Sequence, residues 1–154
     1  MKKIKKIIIV LLSLLLITGC NEKKETNEFQ ELFDVDTTLV KSITYEDFLN
    51  TNSLSGVVFI ADETKEAKEI AKIFCEALCE CDTDKALFLK KSKIIDDKYK
   101  DMLNIEEIED LLIVAFKKGN VIGTYSKETE TDDIKEYLTN LIYEANPPVC
   151  NEFC

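Results

Sequence analysis

A change of hydrophobic period near the middle of the chain constrains its fold more than any other feature. Val57-Val58-Phe59-Ile60-Ala61 is an unbroken apolar run of β-branched and aromatic residues, the pattern of a central strand buried on both faces of a sheet. Immediately after it the period becomes helical. From about Glu63 to Cys81, the residues Ala67, Ile70, Ala71, Phe74, Leu78 and Cys81 share one stripe, with Lys and Glu opposite.

The flanking sequence repeats this alternation. Leu39 to Ile43 reads as a short strand, and Thr44-Tyr45-Glu46-Asp47 has the capping-box spacing that opens a helix with Phe48 and Leu49 on its inner side. Asn50 to Gly56 is turn chemistry, and Asp82-Thr83-Asp84 ends the long helix. Ala86 to Leu89 is another short strand, and Asp96 to Asp110 is charged and largely helical through Tyr99, Met102 and Leu103. Leu111 to Phe116, the turn Lys117-Lys118-Gly119-Asn120 and Val121 to Ser126 form a hairpin. The last helix runs from Thr131, as N-cap, to Ala145. Ile134, Tyr137, Leu138, Leu141, Ile142 and Ala145 lie on its stripe, Asp132 and Asp133 in its first turn, and Pro147-Pro148 stops it.

The predicted order is βαβαβαββα. Over roughly Leu39 to Ala145 the chain resembles the thioredoxin-like fold, most specifically in LLIVAFKKGNVIGTY, Leu111 to Tyr125. The resemblance implies an α/β, three-layer α/β/α architecture whose mixed central sheet ends in an antiparallel hairpin and a C-terminal helix. It also implies an active-site corner where the strand Val57 to Ala61 meets its helix. Thioredoxin-like oxidoreductases place Cys-x-x-Cys there, because the free amides and dipole of a helix N-terminus stabilise a thiolate. In this chain Lys65 and Lys68 stand at or near those cysteine positions, and Leu111 lies close to the family's cis-proline position. Thr64 reads as a helix cap rather than a replacement nucleophile. The resemblance thus implies the fold and argues against its usual chemistry.

The N-terminus speaks to location. Lys2, Lys3, Lys5 and Lys6 precede an apolar run from Ile7 to Ile17, shorter than the ~20 residues of a spanning helix and in keeping with a cleaved signal peptide. Ile17-Thr18-Gly19-Cys20 resembles a bacterial lipobox, with Ile in place of the usual Leu. The resemblance implies a diacylated Cys20 at the mature N-terminus and a protein held at the outer face of the cytoplasmic membrane. The expected organisation is residues 1–19 signal peptide, 20–38 polar lipid-anchored tether, 39–146 thioredoxin-like domain and 147–154 cysteine-containing tail. Within the tether Phe29, Leu32 and Phe33 are spaced for a short helix against the domain.

Composition removes further chemistry. The chain has 20 basic and 30 acidic residues, no His and no Arg. Cleavage before Cys20 removes four Lys and no acids, so 16 basic residues face 30 acidic ones, a formal charge of −14. That disfavours nucleic acid as a partner. Without His there is no Ser-His or Cys-His nucleophile pair and no imidazole metal ligand. Glu106, Glu107, Glu109 and Asp110, like Glu128, Glu130, Asp132 and Asp133, read as solvated faces and not as a Ca²⁺ loop.

Five cysteines remain, as C-x3-C-x-C at Cys75, Cys79 and Cys81 and as C-x3-C at Cys150 and Cys154. In an exported chain they read first as disulfides. The fold resemblance implies that the helix ending at Cys81 and the final helix lie on one sheet face with neighbouring ends. The tail then folds back and is held by one or two bridges. A Cys79–Cys150 bridge would close a loop of about 70 residues, worth roughly 4 kcal/mol in the loop-entropy model. Pairing stays open, and five being odd, one thiol is left over. The rival readings are thiol–disulfide exchange, best placed at Cys150 and Cys154, and a thiolate site for Zn²⁺ or Cu⁺ drawn from four of the five sulfurs. No cofactor or resident metal is expected. The leading expectation is a non-catalytic accessory lipoprotein, tied to the membrane by lipid and binding a protein partner of unknown identity.

Overall fold

The computed structural model describes residues 27–50, 55–83 and 86–147. Its elements are α1 (Glu28–Phe33), β1 (Val40–Ser42), α2 (Tyr45–Leu49), β2 (Gly56–Ala61), α3 (Lys65–Glu80) and β3 (Ala86–Lys90). A 3-10 turn (Lys91–Lys93), α4 (Lys98–Leu103), β4 (Leu111–Lys117), β5 (Asn120–Ser126) and α5 (Ile134–Ala145) complete them. The five strands form one sheet in the order β1-β3-β2-β4-β5. β1, β3 and β2 are parallel, β4 runs antiparallel to β2, and β5 is antiparallel to β4. The fold is α/β and thioredoxin-like, a mixed sheet closed by a hairpin and a C-terminal helix.

The apolar run occupies the centre of this sheet because each of its residues has a layer to enter. Every residue of β2 is buried. Alternate side chains point to opposite faces, so Val57, Phe59 and Ala61 join one core while Val58 and Ile60 join the other. β4 divides in the same way, Ile113 and Ala115 against Leu112, Val114 and Phe116. The first core is covered by α1, α3 and α5, the second by α2 and α4.

α1 shortens the expected tether. Phe29 and Phe33 are completely buried, with ring centroids 5.3 and 5.4 Å from Phe59 and 5.3 and 5.4 Å from Phe88. Residues 27–38 therefore pack with the domain, as the spacing of Phe29, Leu32 and Phe33 predicts, and the packed unit includes them where the boundary was expected at 39. Asn27 fastens the helix at both ends of the contact. Its Oδ1 accepts from Phe29 N at 2.9 Å as the N-cap and from Ser42 Oγ at 2.7 Å, while its Nδ2 donates to the Val40 carbonyl on the edge strand β1.

Two other expectations change. The helix expected over Asp96 to Asp110 stops at Leu103, because Asn104 turns left-handed (φ 53°) as its C-cap. Residues 105–110 follow without helix, with Ile105 and Ile108 turned into the second core and the acidic side chains of 106, 107, 109 and 110 exposed. The last helix is capped by Asp133, whose side chain accepts from Glu136 N at 2.9 Å. Thr131 sits outside the helix, its hydroxyl bonded to the Asp133 backbone.

The second edge strand is also blunted. Tyr137 Oη donates to the Thr124 carbonyl at 2.8 Å, and Ser126 N donates to Thr129 Oγ1 at 2.9 Å. Backbone groups of β5 that would otherwise recruit another strand are thus taken within the chain.

Candidate functional site

The β2–α3 corner is built by sequence features already in view. β2 ends at Ala61, Asp62 accepts a hydrogen bond from Ser92 N at 3.0 Å, and Thr64 caps α3 by accepting from Ala67 N at 3.0 Å. Leu111 is the first residue of β4 and pairs with Ala61, so it lies beside the corner as the resemblance implied. It is buried, and no peptide bond among the described residues is cis.

The two lysines at the expected thiol positions differ in their surroundings. Lys65 is almost fully exposed, with Glu69 4.0 Å away. Lys68 Nζ lies 2.7 Å from Glu63 Oε1, and this charge-assisted bond holds the Glu63 carboxyl below its ordinary value. Thr64 Oγ1 is committed to the helix amide. The corner therefore presents an ion pair and a solvated cation at the helix N-terminus, and no thiol or hydroxyl free to attack.

The described cysteines lie at the other end of α3. Cys75 and Cys79 are one helical turn apart and line one surface depression of about 450 Å³, walled by Asp36 and Thr37 from the α1–β1 connection and by Lys135 of α5. Cys79 also borders a second depression of about 500 Å³ with Leu39, Leu78, Asp82 and Thr83. Cys75 is half-buried and Cys79 exposed. Burial, then the neighbouring Cys79 and Glu76, pushes the Cys75 thiol up to about 12. Cys81 is raised by burial and by Glu80. Neither is a thiolate at neutral pH, so neither has the character of a redox nucleophile.

Cys81 faces a different way. It is the C-cap of α3 and its Sγ donates to the Thr139 carbonyl at 3.5 Å. Lys135 Nζ meets Glu80 at 2.6 Å and Glu76 at 3.6 Å. The last turns of α3 therefore lie against the first half of α5, and α5 continues for six residues, about 9 Å, beyond that contact. All three described cysteines are free thiols.

Cys20, Cys150 and Cys154 lie outside the described residues, as do the expected signal peptide at 1–19 and residues 148–154 of the expected tail. Among the described residues no cluster of three or more His, Cys, Asp or Glu is arranged to hold a metal ion, and no helix is long and apolar enough to cross a membrane. Asp36, Thr37 and Lys135, which wall the thiol depression, were not singled out by sequence. Lys135 sits three residues behind Asp132 in an ordinary amphipathic pattern, and only the packing of α5 on α3 assigns it to Glu76 and Glu80. No protein-family model matches the chain, and no curated protein matches it.

Proposed function

We propose that the protein is a lipid-anchored accessory module of the outer face of the cytoplasmic membrane, binding a protein partner through a thioredoxin-like scaffold that performs no dithiol chemistry at its β2–α3 corner. The Lys68–Glu63 ion pair carries this reading. It occupies the helix N-terminus where the fold's oxidoreductases hold a reactive thiolate, and it leaves that positive end of α3 facing a cation and a paired carboxylate. The lipobox resemblance at Cys20 supports the anchoring.

Two assays test it. Labelled palmitate is incorporated by the exported protein and lost on Cys20→Ala, which also releases the chain from the membrane. In parallel, the purified protein leaves the rate of insulin reduction by dithiothreitol unchanged. Catalysed reduction that disappears on Cys150→Ala and Cys154→Ala would replace this reading with a thiol oxidoreductase working from its tail.

A further inference from the structure

Three features of the chain meet at one edge of the sheet. β1, β3 and β2 run parallel and end together, so this edge carries both the β2–α3 corner and the connection from β3 to α4. Asn27 bonds Ser42 and the Val40 carbonyl of β1, and Glu28 beside it pairs with Lys93 of that connection at 2.5 Å. The residues preceding Asn27 therefore join the domain at this edge.

Here the β3–α4 connection presents an isoleucine to solvent. Ile94 packs on the second core, whereas Ile95 is 84% exposed, against 52% for Tyr143 and 37% for Ile122, the other exposed large hydrophobics among the described residues. Its loop is pinned on both sides. Ser92 N donates to Asp62 Oδ1 at 3.0 Å, and Tyr45 Oη donates to Asp96 Oδ1 at 2.7 Å.

Lysine surrounds the exposed side chain. Residues 90–100 hold Lys90, Lys91, Lys93, Lys98 and Lys100 against Asp96 and Asp97, in a chain that from Cys20 onward has 16 basic and 30 acidic residues. Lys93, Lys98 and Lys100 pair with Glu28, Asp96 and Asp97, which leaves the excess charge on Lys90 and Lys91, and Lys65 stands exposed at the adjoining corner. Exposed ion pairs of this kind are weak enough to exchange a carboxylate for a phosphate.

We propose that this edge docks on an anionic lipid surface, with Ile95 inserted at the headgroup boundary and Lys90, Lys91, Lys93 and Lys98 against lipid phosphates. Docking rests on the lipid anchoring inferred for Cys20. From Cys20 to Asn27 is seven residues, at most about 25 Å when extended, so an acyl chain on Cys20 keeps the domain's point of entry within that distance of the bilayer. A short tether gives an effective concentration on the order of millimolar. One apolar side chain and a few lysines, too weak to recruit a free protein, then suffice to orient a tethered one. In this orientation Cys75, Cys79 and Cys81, toward the far end of α3, point away from the membrane, and that end is open to a partner in solution.

The chain has no Trp, so Ile95→Trp supplies a single reporter. The chain from Asn21 onward, with a hexahistidine tag in place of Cys20, is held on nickel-chelating lipid in vesicles of equimolar phosphatidylcholine and phosphatidylglycerol. Tyr143→Trp, on α5 beyond the Thr139–Cys81 contact, reports the opposite edge. The expected result is an emission shift to shorter wavelength at position 95, with stronger quenching by brominated than by unbrominated phospholipid, and neither effect at 143. Lys91→Glu, raised salt and omission of phosphatidylglycerol should each reduce the quenching at 95.

An indole at 95 that stays unshifted and unquenched on the tethered vesicles overturns the docking and leaves the face to a protein partner. Equal quenching at 95 and 143, or equal quenching on phosphatidylcholine alone, overturns it as well. So does a shift at 95 that grows with protein concentration without lipid, which assigns Ile95 to a contact between two copies of the chain. Acylation is read separately, from palmitate incorporation at Cys20. Palmitate incorporated with a solvated indole at 95 fails the docking and keeps the anchor, whereas an inserted indole without palmitate fails the anchor and keeps the affinity of this edge for anionic lipid.

Discussion

Ala61 and Leu111 face each other across β2 and β4, the last residue of one strand against the first of the other. This pairing sets the edge of the corner from which α3 departs, and it fixes Lys65 and Lys68 on the first turn of that helix. The same helix carries its cysteines 11, 15 and 17 residues from its Thr64 cap, toward the end where the macrodipole is negative. One helix thus separates the position favourable to a thiolate from the thiols actually present.

A thiol moved to the favourable end should show the difference. The group introduced by Lys65→Cys, next to the Thr64 cap, should titrate below the ordinary ~8.5. In the Cys79→Ser background it should react with an aromatic disulfide reagent faster at pH 7 than Cys79 does in the parent. Equal or slower reaction would show that the corner lacks the field of a helix N-terminus.

Gly123 of β5 lies tight under Leu141 of α5. A Cβ placed there would meet Leu141 Cδ1 at 2.6 Å, well inside contact. Leu141 is buried on α5, so its methyl can shift only against neighbours already packed. Gly123→Ala should cost about 1–3 kcal/mol, read as a lower urea midpoint with an unchanged slope. Gly123→Ala combined with Leu141→Ala should recover part of the clash, and strict additivity of the two losses would argue against it.

The hairpin turn offers the opposite sign. Lys118 and Gly119 both have positive φ, 52° and 79°, between the paired residues Lys117 and Asn120. Glycine adopts this conformation freely and lysine does not. Lys118→Asn should stabilise the protein by about 0.5–1 kcal/mol, measured by thermal or urea unfolding. The Lys118 amide bond to Ser55 Oγ, 3.0 Å, is made by the backbone and survives the change.

The alternation of strands and helices was legible because it depends on local period. β2, α3, β4 and α5 carry unbroken runs or clean stripes, and their positions follow within a few residues. What was not legible depends on contacts between distant segments or on competing caps. The short helix α1 is legible in the spacing of Phe29, Leu32 and Phe33, but its place in the core is not, because the two phenylalanines stand among acidic residues in a stretch that reads as tether. Only Phe59 and Phe88, some thirty and sixty residues on, turn them into core. Thr131 and Asp133 are both cap formers, and Glu136 three residues after Asp133 was the available clue. For the cysteines, spacing identifies a shared stripe for Cys75 and Cys79. Which stripe faces a depression and which faces Thr139 depends on where α5 lies.

Asn27 tests whether α1 is structural. Asn27→Ala removes the cap on Phe29 N, the acceptor for Ser42 Oγ and the donor to the Val40 carbonyl. A cap alone is worth about 1 kcal/mol and a part-buried carbonyl left unpaired a further 1–3 kcal/mol. The expected loss is about 2–3 kcal/mol, with faster amide exchange in both 28–33 and 40–42. Protection lost in 28–33 alone would mean that α1 is not coupled to the sheet edge.

Cys75 and Tyr45 weaken the reduced protein at alkaline pH. Burial, with Cys79 and Glu76, moves Cys75 from 9.0 to about 12. Burial, with the Asp96 carboxylate hydrogen-bonded to its hydroxyl at 2.7 Å, moves Tyr45 from 10.0 to about 12. In each case the folded state keeps a proton that the unfolded chain loses. Their contribution is therefore fully present below pH 9 and is lost as pH rises toward about 12, with Cys75 acting first and Tyr45 from pH 10. The urea midpoint of the reduced protein should fall across that window. Tyr45→Phe should flatten the upper part, and Cys75→Ser the lower. Cys81, raised by burial and Glu80, and Tyr125, raised by burial and Glu66, act in the same direction, so each single change should make its part of the curve shallower without abolishing it. An unchanged fall between pH 9 and 10 in Cys75→Ser would mean that another thiol or amine sets the limit.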